Sequence, residues 1–351
     1  MPADQPILIT GGAGFIGANL VARLAECVPD RDLIVADDFR TGSFENIVEA
    51  FERHALPPFV GRVLPIDLAE NSPAQLIGDL RPSVVFHQAA ITDTTVADER
   101  EMLHVNTATM RPMLEATAAV GGRLVYASSA ATYGSPPQGD AHEPFPLEAA
   151  GRPNNVYGFS KWLMECEHSR FANERRAAGE AEPWVVGLRY FNVFGPCETR
   201  KGKMASMACQ LARQVIAGGS PRLFEHGEQA RDQIHVDDVV DANLAAAGLV
   251  DQADARSDPK PGVYNLGSGQ TTSFAEVAES VLRGLGLTAS ERPIEYFPMP
   301  NSIRAFYQSF TCADMRQTEA GLGWSPSRVP GEAIAEYAAW LGSRSKAEVS
   351  A

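Results

Sequence analysis

Short apolar runs alternate with stretches of helical periodicity through the first half of the chain. In the helical stretches apolar residues recur every three or four positions, as at Phe15, Leu20 and Leu24. The runs that predict strands cover residues 6–9, 33–36, 59–65, 83–87, 123–129 and 184–190. Strands that are apolar throughout and alternate with helices are typical of a parallel sheet covered on both faces. The pattern therefore predicts an α/β fold built on a doubly wound parallel sheet.

The alternation changes after Gly195. The elements predicted there are a helix over 204–217, a strand over 262–266 and a helix over 274–285, with proline-rich pieces at 293–300 and 325–330. We interpret this part as a smaller mixed α/β carboxyl-terminal domain that closes over the edge of the sheet. The expected division gives residues 1–195 to the first domain, with 231–268 returning to it, and residues 196–230 and 269–345 to the second.

A glycine-rich turn follows the first predicted strand. Gly11, Gly14 and Gly17 stand three residues apart at the start of the first helix. Glycine is required where a side chain would block the turn, the approach of a diphosphate to backbone N–H groups, or close packing of helix on strand. Asp37 ends the second strand, where a carboxylate can accept hydrogen bonds from both ribose hydroxyls of an adenosine. Together these features predict a Rossmann-type dinucleotide-binding domain.

The residues after the second strand leave the choice between NAD and NADP open. Asp37 and Asp38 would repel the 2′-phosphate of NADP, whereas Arg40 lies close enough in sequence to attract it. The two carboxylates favour NAD, bound one per chain.

Two later segments are also expected at the cofactor. Asp67, which precedes Leu68, either faces the adenine edge or caps the next helix. After the fourth strand, Gln88, Ala89 and Ala90 leave room for a cofactor to lie across the sheet edge, because two of them are small.

Composition narrows the class of protein and its partners. The 351 residues are 44% apolar and carry a formal charge of −14, which argues against nucleic acid or an anionic membrane as partner. The five cysteines are scattered without a Cys-x-x-Cys pair, which is typical of a reducing compartment. The histidines show no metal-ligand spacing. With no signal peptide and no membrane-spanning run expected, the sequence predicts a cytoplasmic enzyme without a metal site.

Tyr157 and Lys161 carry the predicted chemistry. They are four residues apart, which places both on one face of a helix. Lys161 can hold the cofactor ribose and lower the pKa of Tyr157 from its usual value of about 10, helped by the positive charge of an oxidised nicotinamide. Such a tyrosine accepts a proton from a substrate hydroxyl as hydride leaves the carbon. Ser129, at the end of the fifth strand, would hydrogen-bond the reacting oxygen or would only cap a turn.

These motifs resemble the extended short-chain dehydrogenase/reductase superfamily, whose members oxidise and rearrange nucleotide sugars. The resemblance runs from residue 7 to about residue 341, and its segments are 11–17, 87–90, 106, 129, 157, 161, 189–196 and 231–238. It implies a tightly bound NAD or NADP in the first domain and a nucleoside diphosphate sugar in the second. The residues expected at the cofactor are Gly11, Gly14, Phe15, Ile16, Gly17, Asp37, Asp38, Arg40, Asp67, Leu68, Gln88, Ala89, Ala90, Asn106, Tyr157 and Lys161.

Segments 126–134, 201–208, 220–225 and 307–311 further resemble the ADP-L-glycero-D-manno-heptose 6-epimerase family. Dehydratases of the superfamily carry an Asp-Glu pair after the active-site hydroxyl residue, where this chain has Ala130 and Ala131, so epimerisation is favoured over elimination. The resemblance implies a role in lipopolysaccharide core assembly and a homo-oligomer, with a pentamer as one candidate. The expected substrate contacts are Ser129, Asn192, Lys201, Lys203, Met204, Phe224, Arg231 and Tyr307.

Inversion at one carbon needs proton transfer on both faces of the sugar. In the resembled family a lysine supplies the second acid/base, and Lys201 matches it; the alternatives are a diphosphate-binding or merely solvated lysine. Gln88, Ala89 and Phe306 depart from the family pattern, and Asp38 weakens its expectation of NADP. A 4-epimerase acting on a UDP-hexose would use the same Tyr157 chemistry. A non-catalytic NAD(P)-sensing protein is the third hypothesis.

Overall fold

The computed structural model describes residues 5–93, 98–135, 142–249, 259–299 and 308–350, with side chains as far as 345. Its centre is a seven-stranded sheet in which every neighbouring pair is parallel, in the order β3-β2-β1-β4-β5-β6-β10. The strands are β1 (Ile7–Thr10), β2 (Leu33–Asp37), β3 (Arg62–Pro65), β4 (Val84–His87), β5 (Arg123–Ser129), β6 (Val185–Tyr190) and β10 (Gly262–Leu266). The predicted doubly wound α/β fold is confirmed.

Helices cover both faces of this sheet because successive strand residues point to opposite sides. Ile7 and Ile9 of β1 belong to one apolar core and Leu8 to another. The helices are α1 (Phe15–Cys27), α2 (Phe44–Arg53), α3 (Pro73–Leu80), α4 (Glu99–Thr107), α5 (Met110–Ala119), α6 (Val156–Ala177), α7 (Met207–Ile216), α8 (Val236–Ala247), α9 (Phe274–Gly284), α10 (Arg316–Leu322) and α11 (Pro330–Ser350). In the described ranges, no helix is both long enough and apolar enough to cross a bilayer.

Five short strands build two small sheets beyond the carboxyl edge of the large one. They are β7 (Asn192–Phe194), β8 (Arg222–Phe224), β9 (Ala230–His235), β11 (Thr271–Ser273) and β12 (Glu295–Phe297). The order β11-β9-β7 mixes an antiparallel and a parallel pair, and β8 pairs with β12 in parallel. A separate apolar core packs beside them, formed largely by α7, α9 and α11.

The segment 231–268 is shared between the two layers. Its first strand, β9, lies in the small sheet, whereas β10 pairs with β6 at the edge of the large sheet. The chain therefore passes from the small sheet to the large one between β9 and β10, and returns to the small sheet at β11.

Two predicted boundaries were wrong for identifiable reasons. The third strand begins at Arg62 rather than 59, since the ring of Phe59 packs edge-on against Phe51 of α2, with centroids 5.5 Å apart. The helix predicted from 204 begins at Met207, because the hydroxyl of Ser206 accepts a hydrogen bond from the N–H of Cys209 and caps it. A 3₁₀ turn, Thr199–Met204, fills the remainder.

Candidate active site

The glycine turn between β1 and α1 forms one wall of a cleft at the carboxyl edge of the sheet. Gly11 has a φ of +66°, and a Cβ there would lie 2.5 Å from the nitrogen of Ala89, so no other residue fits without a shift. Gly14, the N-cap of α1, has no side chain that could accept from the first-turn N–H groups. Those donors and the helix dipole are thus left for an anion in the cleft, such as a diphosphate.

Asp37 stands at the end of β2, one strand away from the turn. Its Oδ2 accepts from the N–H of Ala13 and its Oδ1 from the N–H of Phe39, both at 2.9 Å. Burial raises the pKa of this carboxyl, while the two backbone donors favour its charged form. Each oxygen retains a lone pair for a ribose hydroxyl. This arrangement fits an adenosine ribose.

Arg40 is surrounded by acidic side chains. Its guanidinium lies 2.7 Å from Glu101, 3.4 Å from Asp38 and 3.5 Å from Asp67. The cation that could have attracted a 2′-phosphate is therefore already engaged by three carboxylates. The sequence did not predict this cluster, because Glu101 lies on α4, sixty-one positions away.

The two alternatives for Asp67 are resolved in part. The next helix, α3, is capped by Ser72, whose hydroxyl accepts from the N–H of Gln75. Asp67 instead holds its own turn, since its Oδ1 accepts from the N–H of Ala69 at 2.8 Å. Its carboxylate and Leu68 both line the cleft.

The cleft has a volume of about 430 Å³ and runs from the end of β2 to the end of β5. That volume is in the range of small-molecule sites. Of the residues expected at the cofactor, those that line it are Gly11, Gly14, Phe15, Ile16, Gly17, Asp37, Asp38, Arg40, Asp67, Leu68, Gln88, Ala89, Ala90, Tyr157 and Lys161. We call it the cofactor cleft.

Asn106 lies behind the wall of the cofactor cleft. Its Oδ1 accepts from the N–H of Ile91, and its Nδ2 donates to the carbonyl of Ile91 and to the hydroxyl of Ser160. The side chain therefore fixes the loop after β4 against α6, which places Ile91 on the cleft wall. Unlike the other residues expected at the cofactor, Asn106 does not line the cleft.

Ser129, Tyr157 and Lys161 meet at the inner end of the cofactor cleft. Asn155 caps α6 by accepting from the N–H of Gly158 at 2.8 Å, which starts the helix just before Tyr157. Tyr157 is hydrogen-bonded to the side chain of Ser129. The hydroxyl of Ser129 also accepts from the N–H of Ala131, so the serine both caps its turn and contacts the tyrosine.

The predicted lowering of the Tyr157 pKa is not found in the chain by itself. Burial raises the pKa of Tyr157, and the hydrogen bond with Ser129 opposes this only in part. Burial also lowers the pKa of Lys161 to about 8. Lys161 Nζ donates to the carbonyl of Ala127 at 2.8 Å and lies 6.0 Å from the centre of the Tyr157 ring. Desolvation of both groups outweighs their attraction, so the tyrosinate depends on further positive charge in the cleft.

A second cleft of about 310 Å³ adjoins the first. Two of its basic or amide side chains were expected at the substrate: Asn192 on β7 and Arg231 on β9. Asn192 Nδ2 donates to the carbonyl of Asp232 and to the hydroxyl of Thr311, each at 3.2 Å. The two clefts share Ser129, Tyr157, Tyr190 and Phe191. We call the second one the substrate cleft, and the serine–tyrosine pair lies where the clefts join.

Lys201 and Met204 line the cofactor cleft, not the substrate cleft. Lys201 Nζ lies 5.3 Å from the centre of the Phe15 ring, beside the first turn of α1. Burial lowers the pKa of Lys201, and the buried carboxylate of Glu198 counteracts this. Lys203 is exposed and lines neither cleft. Lys201, in contrast, is half-buried at the cofactor cleft, which argues against a merely solvated role.

Of the remaining expected substrate residues, Phe224 is not brought to the junction. Phe224 lies on β8, where its ring is 4.8 Å from that of Phe297, and it lines neither cleft. Tyr307 and the departure at Phe306 lie outside the described residues.

Several residues on the clefts were not predicted as site residues. Asn154, Asn155, Gln308 and Thr311 line the substrate cleft, and Arg200 lines the cofactor cleft. An asparagine directly before the Tyr157 segment is an N-cap signal that could have revealed Asn155. Gln308 and Thr311 reach the site only through the tertiary fold. In the described part of the chain, no three His, Cys, Asp or Glu side chains form a group that could hold a metal ion.

The glycine turn, the start of α1 and Asp37 fit a dinucleotide, and comparison with known proteins agrees. A model of the NAD dependent epimerase/dehydratase family matches residues 7–267. The structure of ADP-L-glycero-D-manno-heptose-6-epimerase from Helicobacter pylori is 32% identical, with a TM-score of 0.78 over 95% of each chain. MoeE5 in complex with UDP-glucose and NAD is 29% identical, with a TM-score of 0.74 over 97% of this chain and 99% of that one.

The UDP-glucose 4-epimerase of Thermotoga maritima shares the fold, at 24% identity and a TM-score of 0.78 over 97% of this chain and 99% of its own. The family match covers well over half of this chain. The chain is therefore an enzyme whose cofactor is NAD or NADP, and it belongs to the NAD dependent epimerase/dehydratase family.

Proposed function

We propose that the enzyme is a nucleotide-sugar epimerase that inverts C6 of ADP-D-glycero-D-manno-heptose. The observation that carries the proposal is the junction of the two clefts at Ser129 and Tyr157, with Lys161 beside them. A sugar in the substrate cleft would reach this junction, and a nicotinamide in the cofactor cleft would reach it from the other side. The similarity to the Helicobacter pylori heptose epimerase supports the choice of sugar.

Tyr157 transfers the proton at the reacting oxygen. When bound, NAD(P)⁺ supplies a hydride acceptor that later returns the hydride to the same carbon. Tyr157, as the phenolate, accepts the proton of the sugar hydroxyl, and Ser129 holds the reacting oxygen by a hydrogen bond. Lys161 is anchored to the carbonyl of Ala127, so its ammonium is fixed within the site. The sugar then carries a ketone at C6. It has lost its hydroxyl proton to Tyr157 and one hydride, which is the hydride that the cofactor takes up.

Elimination of water is not supported by the residues after Ser129. Ala130 and Ala131 both line the substrate cleft where a dehydratase would present an acid and a base. Methyl groups cannot transfer protons, so the ketone has no local route to dehydration. Return of the hydride to the opposite face is the remaining outcome, and it yields the C6 epimer without net consumption of cofactor.

Lys201 is the proposed proton donor to the oxygen after inversion. The inverted alkoxide lies away from Tyr157, so a second acid is needed there. Lys201 lines the same cleft as Tyr157, and its lowered pKa brings an ammonium closer to the pH range in which it releases a proton. Its position beside Phe15 and the diphosphate-binding turn supports the alternative, that Lys201 binds a diphosphate.

We infer that NAD is preferred over NADP. A 2′-phosphate beside the adenosine ribose would meet Asp37 and Asp38, and the nearby guanidinium of Arg40 is shared with Asp67 and Glu101. The local charge is negative even with Arg40 counted, so a dianionic phosphate is disfavoured.

A 4-epimerase that acts on a UDP-hexose is the second candidate; the similarity to MoeE5, which was solved with UDP-glucose and NAD, supports a UDP-hexose as the sugar. The test of the proposed function is a proton NMR assay of the purified enzyme with ADP-D-glycero-D-manno-heptose and no added cofactor. Appearance of the C6 epimer is the expected result. If cofactor-loaded enzyme leaves this sugar unchanged but interconverts UDP-glucose and UDP-galactose, the second candidate replaces the first.

A further inference from the structure

A buried ion pair lies directly behind the serine–tyrosine junction. Arg189 on β6 and Glu165 on α6 form two parallel hydrogen bonds, Nε to Oε1 at 3.0 Å and Nη2 to Oε2 at 2.8 Å. Their side chains are only 6% and 4% exposed. Neither residue lines either cleft, so the pair does not touch a ligand there.

The ion pair holds the segment of Ser129 from both ends. The hydroxyl of Ser128 donates to Glu165 Oε1. On the other side, Arg189 Nη1 donates to the hydroxyl of Tyr133 at 2.9 Å. Ser129 and its capped turn, Ala130–Tyr133, therefore run between one residue fixed on the carboxylate and one fixed on the guanidinium.

The same pair also ties this segment to the helix of the candidate acid/base. Glu165 lies on α6 one turn beyond Lys161 and two turns beyond Tyr157. Lys161 also connects α6 to β5, because its Nζ donates to the carbonyl of Ala127 on β5. The separation of the Ser129 hydroxyl from the Tyr157 ring is thus set by α6 and β5 being clamped on each other through Glu165.

Further hydrogen bonds connect the ion pair, through Tyr133, to a segment beside the substrate cleft. The hydroxyl of Tyr133 donates to Asn265 Oδ1 at 2.6 Å, and Asn265 Nδ2 donates to the carbonyls of Phe145 and Asp314 at 2.8 and 3.1 Å. Asp314 follows Thr311 closely, and Thr311 lines the substrate cleft. One hydrogen-bonded network therefore joins the segment that carries Ser129 to the segment that carries Thr311.

Stability alone does not account for the pair. Two charges taken out of water cost several kcal/mol of desolvation each, and apolar residues of similar volume are often as stable or more so. What an apolar pair cannot supply is the directional hold on Ser128 and Tyr133. Resting on the role of Ser129 and Tyr157 in the proposed function, we propose that Glu165 and Arg189 are positioning residues that fix the Ser129 hydroxyl against Tyr157 for proton transfer.

Two double variants separate positioning from folding. Glu165→Met with Arg189→Met replaces the ion pair by apolar side chains, and Ser128→Ala with Tyr133→Phe keeps the pair but cuts its two ties to the Ser129 segment. Both should retain bound NAD(P) and a melting temperature near that of the wild type. We expect kcat for the sugar that the wild type turns over to fall about 10- to 100-fold, with KM changed less than about threefold, because misplacement acts on the reacting groups and not on ground-state binding.

Direct titration of Tyr157 gives a readout that does not depend on the sugar. NMR of the ring carbon that bears the hydroxyl, in cofactor-loaded protein with labelled tyrosine, follows its ionisation; Tyr157→Phe assigns the resonance. Losing the hydrogen bond with Ser129, which favours the phenolate, should move the midpoint upward. Lys161 and Tyr190 are the other titratable groups that face Tyr157, and both variants leave them in place.

The matched control is Arg111→Met on α5, which removes ion pairs to Glu115 on the same helix and to Glu167 and Glu174 on α6. It should leave kcat and the Tyr157 midpoint unchanged. Folded double variants with wild-type kcat and a wild-type Tyr157 midpoint would overturn the proposal. A wild type that turns over no nucleotide sugar would end the proposed function instead, while the midpoint measurement would still decide whether the pair positions Ser129.

Discussion

The cofactor cleft and the substrate cleft are built in opposite ways. The adenosine end of the first comes from residues that directly follow β1 and β2, so its contact groups are local in sequence, and later residues such as Tyr157, Lys161 and Lys201 join the cleft only at its inner part. The walls of the second join distant segments: the hydrogen bond from Asn192 to Thr311 spans 119 positions. A contiguous backbone motif fixes the shape of that end of the first cleft, whereas the second exists only once the small sheets have packed on the large one. Changes in one cleft should therefore leave binding in the other intact.

Tyr157 belongs to both clefts, so its loss should produce the largest effect. Tyr157→Phe removes the only atom of that side chain that can carry the proton, and kcat should fall about 10²- to 10⁴-fold. Bound NAD(P) and sugar affinity should persist, because the ring remains. The control is Tyr264→Phe, which loses a hydroxyl that donates to the backbone carbonyl of Lys260. Tyr264 lines neither cleft. A kcat for Tyr157→Phe close to wild type, measured by NMR epimerisation, would exclude the tyrosine as acid/base.

Lys201 tests whether a residue on the cofactor cleft acts on the sugar. Lys201→Met should lower kcat about 100-fold with little change in KM if the ammonium protonates the inverted oxygen. In that case the first half-reaction survives, and near-ultraviolet absorbance of reduced nicotinamide should accumulate on adding sugar. Lys203→Met is the matched control, since that side chain is exposed and lines neither cleft. A raised KM with unchanged kcat would assign Lys201 to diphosphate binding.

The contrast between the clefts also explains what could be predicted from sequence. The grouping of the glycine turn with Asp37 in one cleft could be predicted because each fixes a local backbone geometry. The hydrogen bonds of Asn106 to the backbone of Ile91 were not predicted, because a buried amide beside a loop looks the same in sequence whether it faces the cofactor or the loop backbone. The raised pKa of Tyr157 was missed since it depends on burial by distant elements.

The acidic cluster around Arg40 and the Glu165–Arg189 ion pair also could not be predicted from the sequence. Each joins residues of opposite charge from different elements, at 2.7 to 3.5 Å for Arg40 and 2.8 Å for the closest contact of the pair. Hydrophobic periodicity predicted the elements that carry them, and it carries no information on which charged side chains will meet.

Arg231 lines the substrate cleft but not the cofactor cleft, so its loss tests the substrate cleft alone. Arg231→Gln should raise KM for the nucleotide sugar about 30-fold, the loss expected from one charge-assisted hydrogen bond to a diphosphate, and leave the bound cofactor in place. Arg222→Gln removes an exposed arginine paired with Glu295 on the small β8–β12 sheet and should change KM little. If Arg231→Gln also strips the cofactor, the two clefts are not independent and the comparison fails.

Asp38 probes the adenosine end of the cofactor cleft and should give the smallest effect. Removing one carboxylate near Arg40 weakens the repulsion of a 2′-phosphate, but the side chain is 31% exposed and solvent screens its charge. Asp38→Asn should therefore tighten NADP⁺ binding about threefold to tenfold and leave NAD⁺ binding unchanged, as measured by calorimetric titration of protein freed of cofactor. Asp32→Asn, which removes the same charge beside Arg62 at the opposite end of β2, should change neither affinity. Weaker NADP⁺ binding in Asp38→Asn would show that Asp38 orients Arg40 toward the phosphate, which would contradict the repulsion from which the preference for NAD is inferred.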